Sequence, residues 1–148
     1  MIGNRLWFWF AGGLLCLTLA LPGCSRQPPE QALRAAIDEL RQAIESRDAR
    51  SLDNRLADDF IGPDGMDGEG AARTARLMFL RYRNVGVTLG PADVSINDRH
   101  ATVRVEAMLT GGQGRVLPDA VRVYEVESGW RLDGDKWVLT SIRWEDGR

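Results

Sequence analysis

The hydrophobic period of this chain changes once, near Arg83, and that change limits its architecture more than any other feature. Before it, apolar residues recur at helical spacing; after it, they alternate. Helices gathered ahead of a run of strands make an α+β domain, not a parallel α/β fold. The spacing predicts a first helix over 30–47, where Leu33, Ile37, Leu40 and Ile44 form one stripe. A second helix is expected from a Ser51 cap, with Leu52, Leu56 and Phe60 at i, i+4 and i+8. Pro63-Asp64-Gly65 reads as a turn. A third helix is expected over 68–83, with Ala71, Ala75, Met78 and Tyr82 on one face and Leu77 and Leu80 beside it. Its arginines, Arg73, Arg76, Arg81 and Arg83, read as a solvated face because Asp64, Asp67 and Glu69 flank them.

Alternation then predicts antiparallel strands over 85–89, 94–96, 102–109, 120–130 and 136–145, with Gly111 to Gly114 as a loop. Asp133-Gly134 between two such runs is a strong hairpin signal. A two-residue turn there puts Trp130 opposite Trp137 and Arg131 opposite Lys136. Trp144 has the opposite parity to Trp137, so a regular last strand carries apolar residues on both faces. A homodimer through the sheet face near Trp144 is the simplest cover for the second face.

Leu6 to Leu21 is a run of sixteen residues without a charge, preceded by Arg5. A membrane-spanning helix wants about 20 apolar residues, so the run suits the apolar region of a signal peptide. It closes on Leu21-Pro22-Gly23-Cys24, which resembles the lipobox of bacterial lipoproteins. The resemblance implies cleavage after residue 23 and diacylglycerol on the Cys24 thiol, with a further acyl chain such as palmitate completing a stable anchor. Ser25 after the cysteine implies outer-membrane sorting, with the domain in the periplasm. Residues 24–29 then form the lipidated cysteine and a tether stiffened by Pro28 and Pro29, and 30–148 the globular domain.

Three further segments carry a resemblance to a known family. They are Ala43 to Asp48 leading into Leu52, then Leu56 to Phe60, then Gly129 to Leu139. In this order they resemble the nuclear transport factor 2-like (SnoaL-like) superfamily over nearly all of 30–146. That resemblance implies a cone-shaped, cystatin-like fold with three N-terminal helices packed on a curved antiparallel sheet. It leaves activity open, because the superfamily hosts isomerases, dehydratases and epoxide hydrolases beside many binding domains.

The chemistry-bearing residues are few. A formal net charge of −2 argues against a nucleic-acid partner. Cys16 and Cys24 cannot form a structural disulfide once 1–23 is removed, and no cysteine–histidine set has the spacing of a zinc site. No metal and no cofactor is expected. The single histidine, His100, reads as an exposed turn residue. The carboxylates considered for acid–base work are Asp59, beside Phe60, and Glu106, which is also placed to pair with Arg122 on the next strand. A pocket lined by Asp59, Phe60, Tyr82, Met108, Tyr124 and Trp137 is the candidate site. The expected role is non-catalytic binding of a small apolar ligand or an envelope partner. The alternative is a small hydrolase or isomerase using a carboxylate such as Asp59 in the cone.

Overall fold

A computed structural model describes residues 28–114 and 120–147. The expected signal peptide, Cys24 and the tether up to Gln27 lie outside these residues. Helix α1 spans Pro29–Glu45 and starts on its proline, a residue pre-shaped for the first helical position. Its apolar stripe meets the sheet as expected: Leu33 is fully buried, and Ile37, Leu40 and Ile44 line the interior. Arg41 bonds Asp38 and Glu45 along the opposite edge.

The second helix is shorter than expected and is capped by a different residue. α2 is Ala49–Asp53, and the Asp48 carboxylate accepts from the backbone N–H groups of Arg50 and Ser51. Leu56–Ile61 is not helix but strand β1. Residues four apart share a face in a helix and also in a strand, so the Leu56–Phe60 spacing fits both. The ladder decides. β1 lies parallel to the last strand, with Leu56 beside Leu139 and Ile61 beside Ser141. The sheet is therefore mixed, which corrects the antiparallel expectation.

After a short 3-10 turn at Pro63–Gly65, α3 runs Gly68–Arg81, capped by Asp67 onto the Gly70 N–H. It ends two residues early because Tyr82 is already extended and the Arg83 N–H bonds the Gly112 carbonyl. β2 (Asn84–Leu89) and β3 (Asp93–Asn97) both pair antiparallel with the long β4 (His100–Gly112), each on one half of it. Gly111 and Gly112 thus belong to a strand, not a loop. β5 (Ala120–Asp133) and β6 (Lys136–Asp146) complete the order β1-β6-β5-β4-β2, with β3 beside β4.

Two corrections in the β5–β6 hairpin shape the interior. The turn is Gly134-Asp135, with Asp133 opposite Lys136 and Gly134 at φ +61°. Glycine at the first central position is what a two-residue hairpin turn of this kind requires. Leu132, not Trp130, therefore faces Trp137. Farther along, Gly129 faces Ser141 while Trp130 faces Leu139, so Thr140 is an extra residue in a β-bulge. The bulge reverses the parity of everything after it. Trp137 and Leu139 point inward before it, and Ile142 and Trp144 join the same inner face after it. The outer face of the end of β6 carries Arg143, in contact with Glu127, whose other oxygen takes a 2.7 Å bond from Arg104. That face is polar, and Trp144, expected on it, lies on the inner face instead.

The closed end of the curve holds the core: Leu33, Phe60, Val103, Trp130, Trp137 and Leu139 among others. Trp130 donates its indole N–H to Ser128 Oγ at 2.9 Å. Trp137 donates its own to the Pro29 carbonyl at 3.1 Å, fastening the first turn of α1 to the last hairpin.

Candidate functional site

Curvature leaves a cavity of about 650 Å³ between the inner face of the sheet and helices α1 and α3. Each strand contributes alternate residues to it. β2 supplies Val85, Val87 and Leu89; β4 supplies Val103, Val105, Ala107 and Leu109; β5 supplies Arg122, Tyr124, Val126 and Trp130. α3 lays Ala71, Ala75 and Met78 over the opening, with Tyr82 just past its end on the same side, while Leu77 and Leu80 point to solvent. The volume lies in the range of small-molecule sites, and the wall is overwhelmingly apolar.

The candidate residues divide. Phe60 lies at the floor, buried in the core. Tyr82 and Tyr124 line the wall. Gly111 makes room for Tyr82: a Cβ there would stand 2.9 Å from its ring, so the phenol lies flat on the β4 backbone. The Arg81 guanidinium stands 5.7 Å from the centre of the same ring. Trp137 is core rather than lining, two residues along β6 from Leu139, which does line the cavity. Met108 is on the outer face, opposite Val123 and 37% exposed, because its neighbours Ala107 and Leu109 point inward.

Asp59 is also outside the cavity. Its carboxylate takes two 2.9 Å hydrogen bonds from the Arg131 guanidinium, a bidentate clamp from β1 across β6 to β5. The Arg131 bond holds this carboxyl below the usual carboxylate range, the opposite of what a general acid near neutrality needs. The folded pKa is depressed, so the clamp stabilises the domain above the ordinary carboxylate pKa, about 3.9. That stability fades as pH falls through the folded value. Urea unfolding of Asp59→Asn against the parent should show a modest deficit at pH 7 that closes on acidification. A deficit that does not change with pH would remove the ion pair as its cause.

Glu106 faces Glu125 on the outer surface, whereas Arg122 faces Leu109 on the inner one, so the expected Glu106–Arg122 pair does not form. His100 is exposed as expected but is not in the turn: the turn is Asp98-Arg99, and His100 is the first residue of β4, opposite Asn97. Among the described residues no carboxylate and no histidine lines the cavity, and no three acidic, histidine or cysteine side chains converge as metal ligands. Arg122 was missed as a lining residue, although its even spacing from Tyr124 and Val126 places it on their face.

No protein-family model matches the chain, and no curated protein sequence matches it. Its likeness is to solved structures. Bd1075 of Bdellovibrio bacteriovorus superposes with a TM-score of 0.71 at 15% identity over 79% of this chain. The chain spans 41% of that protein's length. A nuclear transport factor 2-like superfamily protein from Salmonella enterica serovar Typhimurium gives a TM-score of 0.68 at 13% identity, covering 80% of this chain and 91% of that one. A protein of the same description from Cytophaga hutchinsonii gives 0.65 at 18% identity, covering 82% and 100%. The fold is nuclear transport factor 2-like, as the sequence motifs implied.

Proposed function

We propose that this chain is a lipid-anchored envelope protein whose domain binds a small apolar ligand without transforming it. One observation carries the reading: the concave site is large enough for a ligand and overwhelmingly apolar, with no acid–base residue other than arginine and tyrosine among its described lining. The fold alone would serve an enzyme or a carrier equally well. The hydrolase or isomerase alternative has no carboxylate in the described wall to work with, since Asp59 stands outside it and is paired.

The anchor is supported by the sequence, where the charge-free run ends on Cys24. Palmitate labelling of the chain in cells should be lost in Cys24→Ser, and labelling that persists would end this part of the reading. For the cavity, Ala107 is the test position, buried at the centre of the inner face of β4. An indole there fills the space a ligand would use. Ala107→Trp should weaken binding of the neutral fluorophore N-phenylnaphthylamine at least about tenfold, with circular dichroism unchanged. Equal binding by the folded variant, or none by the parent, overturns the cavity as the site.

A further inference from the structure

We infer that the ligand is an amphiphile with one anionic head group, a carboxylate, held by Arg122 at the mouth of the cavity. Its apolar body runs inward along β5. The inference rests on the cavity being a binding site and adds which end of the ligand enters first.

The inner face of β5 forms a gradient. Arg122, Tyr124, Val126, Ser128 and Trp130 follow one another at every second residue. At about 3.3 Å per residue this is roughly 25 Å of strand, from a cation at the exposed end to a buried indole at the closed end. The polar groups deeper in are already satisfied. Ser128 Oγ accepts from Trp130 and faces the Val103 carbonyl, and Arg41 is neutralised by Asp38 and Glu45. The Thr110 hydroxyl lies against Gly86, on the outer side of the ladder.

Arg122 is different. Among the described residues it makes no hydrogen bond and no ion pair. Asp146, the ladder partner of Tyr124 on the same face, does not bond it. A cationic ligand would meet this guanidinium with no counter-charge in the described wall. A neutral one would cover its donors without replacing their water. A carboxylate matches the planar fork with two parallel hydrogen bonds, and the Tyr82 and Tyr124 phenols lie on the same end of the wall.

The test compares ligands that differ only in the head group. Decanoate and 1-decanol are titrated against the full chain at neutral pH, each displacing N-phenylnaphthylamine. The parent should bind decanoate roughly tenfold or more tightly than decanol, the effect of a hydrogen bond to a charged group. Arg122→Gln should bring decanoate down to the affinity of decanol, and Arg122→Lys should keep part of the preference. Equal affinities in the parent, or a preference that survives Arg122→Gln, overturn the head-group assignment and leave the apolar site standing. If neither ligand displaces the probe, or the probe itself does not bind, the cavity reading falls with it.

Discussion

Replacing Trp130 by alanine should remove about 3–5 kcal/mol of unfolding free energy, measured by urea titration followed by circular dichroism. The indole is 2% exposed and sits where α1, β1, β4 and β6 converge, packed among Leu33, Phe60, Val103 and Leu139. Truncation forfeits the transfer of that surface and leaves a void that rigid strands on either side cannot close. It also takes the hydrogen-bond donor from the buried Ser128 hydroxyl. Trp130→Phe separates the two losses, since it keeps most of the packing and should cost less than half as much. Trp144→Ala is the comparison: that ring is 47% exposed, and its loss should stay within about 1 kcal/mol. If the two alanine variants unfold at the same urea concentration, Trp130 is not in the core described here.

The second large effect should come from deleting Val138, for which deletion of Thr140 is the control. Thr140 is the extra residue, so without it β6 becomes a regular strand that still turns Trp137, Leu139, Ile142 and Trp144 to the inner face. That variant should keep the cavity wall, bind the probe as the parent does and stay within about 1 kcal/mol of its stability. Without Val138 the bulge is absorbed one step earlier: Leu139, 2% exposed in the parent, turns to the outer face and Thr140 takes its inner place. An expected cost of about 2–4 kcal/mol follows from the burial lost at Leu139 and the hydroxyl put in the core. If both deletions cost the same, Thr140 is not the residue that sets the inner face.

These two residues show what was legible beforehand and what was not. The α1 stripe and the alternations of β2, β4 and β5 could be read because each element buries one side only, and burial of one side leaves a period in the sequence. Leu56 and Phe60 misled because a four-residue interval belongs to both periods, and only the parallel partner β6 separates them. The hairpin was located but placed one residue early, since Asp133-Gly134 fits a turn with glycine at either central position. The bulge had no signal at all: Thr140 is an ordinary strand residue, and its displacement exists only relative to Gly129 and Trp130 across the ladder. That one residue carries Trp144 from the expected outer face to the cavity wall. Met108 and Arg122 follow from parity alone: alternate residues of β4 and β5 face inward, which turns Met108 out and Arg122 in. Asp59 was drawn toward the cone by its neighbour Phe60, yet adjacent strand residues face opposite ways.

The pairing of β1 with β6 has a consequence for how the chain is made. Leu56 meets Leu139, and Trp137 bonds the Pro29 carbonyl, so the first and last thirds of the domain complete one another. During synthesis β1 has no ladder partner until nearly the whole chain has emerged, and α1 has no indole to hold its first turn. Long-range closures of this kind come late in folding and leave strand edges open until they occur. A polypeptide built this way stays unclosed while it is being translated and locks only when the β5–β6 hairpin arrives.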